Sequence, residues 1–304
     1  MRLSALLASI FLALPHAAAA CDGRVVETGV FGAPVCTPAE PARIVVLDPQ
    51  MALGMLWELE VPVLGAPLLS LPDRNASARA REEGIADIGH AQQPSLESIV
   101  ALDPDLIIGD TYAHEGFYPS LSRIAPTILS AHGNWKDHFR LLARVTGREQ
   151  TAAARLEAYE ARVAGIRKRV PADLTVSVLR VSPNGFQVYL DGPMAYAPYA
   201  VLAEAGIRRP AYETTEGTDF RKRPDWEELA VLDGDILLYV VADGYDPEGD
   251  DALAAKVESD PLWQMLPSVA AGRAWRVERS QWMGFHGVAS AHAVLDDIES
   301  FLLP

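Results

Sequence analysis

Cysteine is nearly absent from this chain: two in 304 residues. That excludes a disulfide-dense scaffold and a cysteine-rich zinc module. Basic residues are also scarce, 26 Lys+Arg against 41 Asp+Glu, for a formal net charge of −15. A nucleic-acid binder needs a basic footprint, which this composition lacks. Histidines number seven, one of them within the first twenty residues. The others (His90, His114, His132, His138, His286 and His292) form no H-x-H, H-E-x-x-H or His-rich loop. Direct capture of a zinc or manganese ion by converging His/Asp/Glu ligands therefore has no local signature. No G-x-S-x-G elbow, Walker loop or G-x-G-x-x-G after a strand is present, which removes the common motifs for hydrolase, nucleotide and dinucleotide chemistry. Beyond the N-terminus no apolar run is long enough to span a bilayer.

What is present begins with an export address. Arg2 supplies a positive n-region, Leu3 to Leu14 is apolar or small throughout, and Ala18-Ala19-Ala20 fits small-x-small cleavage. Residues 1–20 read as a signal peptide, with Cys21 as the first mature residue. Cys21 then has three readings. It pairs with Cys36 across a short hairpin (Val25 to Val35, turning at Gly29), it is the lipid-modified first residue of a lipoprotein, or both thiols stay unpaired. The three alanines before Cys21 make a poor lipobox, which favours the disulfide.

The most informative pattern is internal. PSLESIVALDPDLII (94–108) and PDWEELAVLDGDILL (224–238) align without gaps, 130 positions apart. Pro94/Pro224, Glu97/Glu227, Leu102/Leu232, Asp103/Asp233 and Asp105/Asp235 are identical. Each copy reads as Pro at a first helical turn, an amphipathic turn or two, an Asp-x-Asp connection, and a continuous apolar run of the kind buried in a parallel sheet. A helix and buried strand, seen twice, predict two similar α/β lobes.

Between the copies, Arg148 to Val170 is rich in helix formers, with Leu156, Tyr159, Val163 and Ile166 at helical spacing and Pro171 beyond. The predicted organisation is an N-terminal α/β lobe over 21–147, a stiff linking helix over 148–170, and a C-terminal α/β lobe over 171–304. Further strands are expected at Arg43 to Asp48, Val61 to Gly65, Gly84 to Gly89, Pro126 to Leu129, Thr175 to Val181, Phe186 to Leu190 and Ala274 to Val277. A closing amphipathic helix is expected over Val288 to Leu303.

In parallel α/β sheets, ligands sit beyond the carboxyl ends of the strands. Applied here, that rule selects Gln50 after RIVVLD, Tyr112 and His114 after DLIIGD, Arg180 late in TVSVLRV, Met194 and Tyr196 after FQVYLDG, and Gln281, Trp282 and Met283 after AWRV. An arginine in an apolar strand is costly unless it is paired or faces a cleft, which singles out Arg180. Trp282, between polar and small neighbours, reads as an exposed-loop stacking platform. These groups suit a bulky, polar, partly anionic ligand.

RIVVLD, PSLESIVALDPDLIIGD, RIAPTI, the long helix, VSVLRVSPNGFQVYLDGPMAYAPYAVLAEAGIRRP, PLWQMLPSVAAGRAWRV and AVLDDIESFL occur in an order that resembles a known family. It is that of the periplasmic solute-binding proteins of ABC importers for iron–siderophores, haem and cobalamin, the helical-backbone class, with the ferric-siderophore branch nearest. The resemblance implies two Rossmann-like lobes with parallel-sheet cores joined by one long backbone helix and a ligand cleft between them. It implies a monomeric periplasmic binding protein with no enzymatic activity or cofactor of its own, whose iron arrives already wrapped by its chelator. The implied partners are the permease and ATPase of the importer, with Glu97 and Glu227 docking onto permease arginines. Hydroxamate binders of the family carry a tryptophan near Arg221 and an arginine just before the PSLES-like segment. Here Arg221 lies in the basic island Asp219 to Arg223, and the second place reads His90-Ala91-Gln92-Gln93, so an anionic chelate with Arg221 or Arg223 as a contact is favoured. Haem, with Tyr112 or His114 as iron ligand, and cobalamin are the alternatives within the class.

Overall fold

The computed structural model describes residues 21–71, 73–131, 133–242 and 249–303. The signal peptide read over 1–20, and His132, lie outside the described residues.

The chain opens with a small antiparallel hairpin, β1 (Arg24–Val26) and β2 (Val35–Thr37). Cys21 and Cys36 are joined by a disulfide, Cα–Cα 5.7 Å, at the foot of this hairpin. Two five-stranded sheets follow. The N-lobe sheet contains β3 (Ile44–Val46), β4 (Val63–Ala66), β5 (Ala86–Asp87), β8 (Leu106–Asp110) and β9 (Thr127–Ser130), all parallel, in the spatial order β5-β4-β3-β8-β9. A two-stranded hairpin, β6 (Gly89–His90) with β7 (Gln93–Pro94), sits beside it. The C-lobe sheet contains β10 (Val176–Ser182), β11 (Gly185–Tyr189), β12 (Arg221–Lys222), β13 (Ile236–Val241) and β14 (Ala274–Arg276), in the order β12-β11-β10-β13-β14. Both lobes therefore run third, second, first, fourth, fifth strand across the sheet. The C lobe departs only in that β11 runs antiparallel to β10 and β12.

The apolar runs explain the centre of each sheet. Every residue of β8 and of β13 is buried, as strands covered on both faces must be. The expected strand at Val61 starts at Val63 instead, because Pro62 cannot join a ladder. The expected strand over Gly84 to Gly89 shrinks to Ala86–Asp87. The repeat helices begin later than the prolines. Ser95 caps Leu96–Ala101 by accepting from the Ser98 N–H at 3.2 Å, and the second copy is a single 3₁₀ turn, Glu228–Val231.

The long helix spans Glu149–Arg167, about 28 Å at about 1.5 Å per residue. Its buried stripe is Ala152, Leu156, Tyr159, Val163 and Ile166. Gly147, at φ 70°, ends the preceding helix Trp135–Thr146 in the left-handed conformation and lets the chain turn into the long one. The final helix, Val288–Asp297, continues as a π turn over Ile298–Leu302. One apolar core runs without a break from Ile44 and Val46, through Tyr159 and Val163, to Val176 and Leu238. The two lobes share that core. No helix among the described residues is long and apolar enough to cross a membrane.

Candidate ligand cleft

A cavity of about 1140 Å³ opens between the lobes. The N lobe contributes Gln50, beyond the end of β3, and Asp73, Arg74 and Asn75, at the start of the helix Arg74–Glu82 that follows β4. The C lobe contributes more: Arg180 and Tyr189 from β10 and β11, Tyr196, Val241 and Ala242 at the end of β13, and the turn after β14. Gln50, residues 73–75, Arg180, Val241, Ala242 and the turn after β14 lie at the carboxyl ends of parallel strands or in the segments that follow them, whereas Tyr189 and Tyr196 end and follow the antiparallel β11 and Phe220 immediately precedes β12.

Arg180 is half-buried, and its partners are neutral. Its Nη1 donates to the Tyr189 hydroxyl at 3.3 Å and its Nη2 to the Ala242 carbonyl at 3.5 Å. Its Nε is buried with no acceptor among the described residues. An arginine side chain is cationic in any protein, and each Nη carries a second N–H beyond these contacts that an incoming anion can accept. The other two C-lobe arginines of the cavity are already paired: Arg276 with Asp251 at 2.7 Å and Arg279 with Asp250 at 3.0 Å.

Tyr189, Tyr196 and Tyr199 form an aromatic cluster behind Arg180, with centroids 4.9 to 6.0 Å apart. The Tyr196 hydroxyl donates to the Met283 carbonyl at 2.9 Å. Burial, and then the neighbouring Tyr189, push the Tyr196 phenol well above its ordinary range, so it stays neutral. Gln50 and Arg180 reach the same cavity as Tyr196.

Other expected positions lie elsewhere. Trp282 is not an exposed platform: it is fully buried, and its Nε1 donates to Asp297 Oδ2 at 2.7 Å. The cause is the helical turn Arg279–Trp282, which points the indole inward onto Tyr199, centroids 5.8 Å apart. His114 is likewise unsuited to ligate haem iron. It is wholly buried, with Nδ1 against Asp110 and Nε2 2.7 Å from the Ala91 carbonyl. Tyr112, two residues earlier, is 97% exposed and does not line the cavity. Arg221 lies on the edge strand β12, half-buried, bonded to Gln187 Oε1 at 3.3 Å and stacked over Phe220 at 5.1 Å. Phe220 lines the cavity; Arg221 does not, and Arg223 is exposed on the surface. Glu97 and Glu227 are both exposed. Among the described residues no group of three or more His/Cys/Asp/Glu side chains is placed to hold a metal ion.

Several lining residues escaped the sequence reading. Asp73 and Arg74 follow β4, and the carboxyl-end rule applied to that strand would have reached them. Tyr189 lies at the end of an antiparallel strand, where that rule gives no signal. Asp250 and Asp251, which neutralise Arg279 and Arg276, are set by packing between elements distant in sequence.

Two lobes of one strand order, a shared core, a long connecting helix and a cleft between them define a two-lobed α/β binding protein. The chain belongs to the Periplasmic binding protein family, whose match covers residues 45–277. Among curated relatives, the probable siderophore-binding lipoprotein YfiY of Bacillus subtilis is 28% identical over 279 residues, 88% of this chain and 84% of YfiY. The Fe(3+) dicitrate-binding periplasmic protein FecB of Escherichia coli is 26% identical over 303 residues, 96% of this chain and 93% of FecB. In fold, the chain is similar to Staphylococcus aureus SirA complexed with staphyloferrin B, with a TM-score of 0.75, 22% identity, and coverage of 88% of this chain and 94% of SirA.

Proposed function

We propose that this protein is the solute-binding component of an ABC importer, which captures a ferric-siderophore bearing an anionic group and delivers it to an inner-membrane permease and its ATPase. The observation that carries the reading is the interlobe cavity with Arg180 on its wall, charged and met only by neutral partners. The names of YfiY and FecB favour an iron chelate as the cargo. Iron stays within its chelator, and the protein acts as a monomeric binder rather than an enzyme. Gln50, Arg180 and Tyr196 contact the ligand from the cavity; a contact from Arg221, beside the lining Phe220, or from the exposed Tyr112 requires a ligand that extends beyond it. The protein works in the periplasm, where an oxidising environment maintains the Cys21–Cys36 bond.

Glu97 and Glu227 are the docking groups for the permease. They are equivalent in the internal repeat, exposed, and without a hydrogen bond or ion pair to any described residue. The acidic chain would favour approach to a basic permease rim.

Tryptophan-fluorescence titration with ferric citrate, hydroxamate and catecholate complexes, haemin and cobalamin tests the cargo. One ferric chelate should bind saturably, and Arg180→Ala should weaken it by about tenfold or more, the range for a lost charge-assisted hydrogen bond. Binding of haemin alone, or an unaffected Arg180→Ala variant, would sink the reading. The double variant Glu97→Ala/Glu227→Ala should keep that affinity and lose permease-dependent iron uptake. Uptake at the wild-type rate would remove the docking role.

A further inference from the structure

Gln50 and Asp73 wall the cleft on its N-lobe side, and both are held by a residue from the far end of the chain. His286 lies between the turn Arg279–Trp282 and the final helix Val288–Asp297. Its Nδ1 donates to the Gln50 carbonyl at 2.8 Å. Its Nε2 stands 3.4 Å from Asp73 Oδ2, with the two side chains 18% and 12% exposed. A carbonyl only accepts, so Nδ1 carries a proton. Nε2 makes no hydrogen bond at that distance, but the carboxylate beside it favours the protonated ring.

The approach is close by construction. A Cβ at Gly54, on helix Met51–Glu58, would lie 2.5 Å from the backbone oxygen of His286. Gly287 has φ 134°, and a Cβ there would meet Glu58 Oε1 at 2.8 Å. The Glu58 carboxylate accepts the N–H groups of Val288 at 3.1 Å and Ala289 at 3.0 Å, the otherwise orphaned donors at the start of the final helix. The seam thus joins the C-terminal segment to the N lobe at the edge of the cavity.

We propose that His286 is a cross-lobe positioning residue: by tying the Gln50 carbonyl and the Asp73 carboxylate, it sets the N-lobe wall of the cleft and with it the affinity for the ligand. The affinity clause rests on the ferric-chelate reading; the seam itself does not. The groups facing the imidazole are Asp73 beside Arg74, Asp48 at the end of β3, Glu58 on its helix, and the Ser290 hydroxyl, which accepts the His286 backbone N–H at 3.0 Å. Arg155 of the long helix acts on the same cluster through Glu58. Burial pulls the imidazole down, but Asp73 and the Gln50 carbonyl outweigh it and leave it above its ordinary 6.5. His286 in turn holds the Asp73 carboxyl below 3.8. The seam is complete between those limits and loosens as pH rises through the raised imidazole value.

Spin labels on Val100→Cys and Met265→Cys, exposed sites on opposite lobes, report the lobe separation in the ligand-free protein. Distances are taken from about pH 5.5 to about pH 9, across the imidazole titration, which ring NMR of His286 follows directly. The separation should shift or broaden as His286 loses its proton. The step should be absent in His286→Gln and in Asp73→Asn, which keeps an acceptor for the Ala76 N–H that Asp73 caps. Ferric dicitrate, the probe for binding, should bind about tenfold more weakly above the step than below it in the wild type relative to His286→Gln, about 1.4 kcal/mol. The same pH step in His286→Gln, or a constant separation while His286 titrates, overturns the proposal. Failure of ferric dicitrate to bind at any pH counts against the affinity clause, while the label distances still decide the seam.

Discussion

The two lobes share a strand order and a fifteen-residue repeat, yet they divide the work unequally. What both copies use inside the fold is a lock between the repeat and the first strand of its sheet. Asp105 accepts the backbone N–H groups of Ala42 and Arg43, at 2.8 and 2.9 Å, just before β3. Asp235 accepts the N–H and hydroxyl of Thr175, at 2.9 and 2.8 Å, just before β10. The chemistry of the cleft lies where the lobes differ. Arg180 and Tyr189 belong to β10 and its antiparallel partner, an arrangement the all-parallel N-lobe sheet lacks. The shared residues build the frame, and the unshared ones line the cleft. Glu97 and Glu227 are the exception: shared, exposed and idle within the fold, which is why a role outside it is assigned to them.

The largest break in this comparison should come from a C-lobe pair built on an arginine, where the buried i,i+4 pair of the N lobe is His114–Asp110. Arg209 and Glu213 form a buried ion pair, their side chains 1% and 0% exposed. Glu213 Oε2 also accepts the Val178 N–H at 3.0 Å, tying the pair to β10. Glu213→Ala leaves a buried guanidinium uncompensated and should cost about 3–5 kcal/mol of stability in urea unfolding. A loss below about 1 kcal/mol would mean the C lobe does not depend on this pair.

Where the sequence was readable, and where it was not, follows the range of the forces involved. The frame comes from local patterns. Continuous apolar runs mark β8 and β13, a 3.6-residue stripe marks the long helix, Pro62 delays the strand start to Val63, and the repeat helices start two and four residues after their prolines. Arg180 was legible because a cation in an apolar strand demands an explanation. Trp282 was misjudged because four residues of helical turn decide whether an indole faces solvent or Asp297, and the flanking composition does not encode that turn. His114 was misjudged for a similar reason: its partner Ala91 lies in another loop, brought close only by the assembled sheet. The charge state of the cleft was equally hidden. Arg276 and Arg279 count as cations in the sequence, but Asp251 and Asp250, 25 and 29 positions away, neutralise them.

The shared aspartates sharpen the comparison with a smaller effect. Each accepts two charge-assisted hydrogen bonds from the entry to its lobe's first strand, so Asp105→Ala and Asp235→Ala should each cost about 1.5–3 kcal/mol. The two losses should be similar despite the lobes' different edge strands, because both carboxylates are half-exposed and bonded alike. For Asp235 the pH dependence can be given a sign. The Thr175 N–H, and then its hydroxyl, hold the carboxyl below its ordinary 3.8. Its contribution is fully present above that value and is lost as pH falls through the lowered one. Urea curves of wild type and Asp235→Ala should therefore be separated at neutral pH and converge at strongly acidic pH. Hydrogen exchange at the Thr175 amide should accelerate in the variant and leave β3 unchanged, while Asp105→Ala should do the reverse. Losses confined to one aspartate, or curves that stay apart in acid, would show that the repeat preserves a sequence without preserving its physical use.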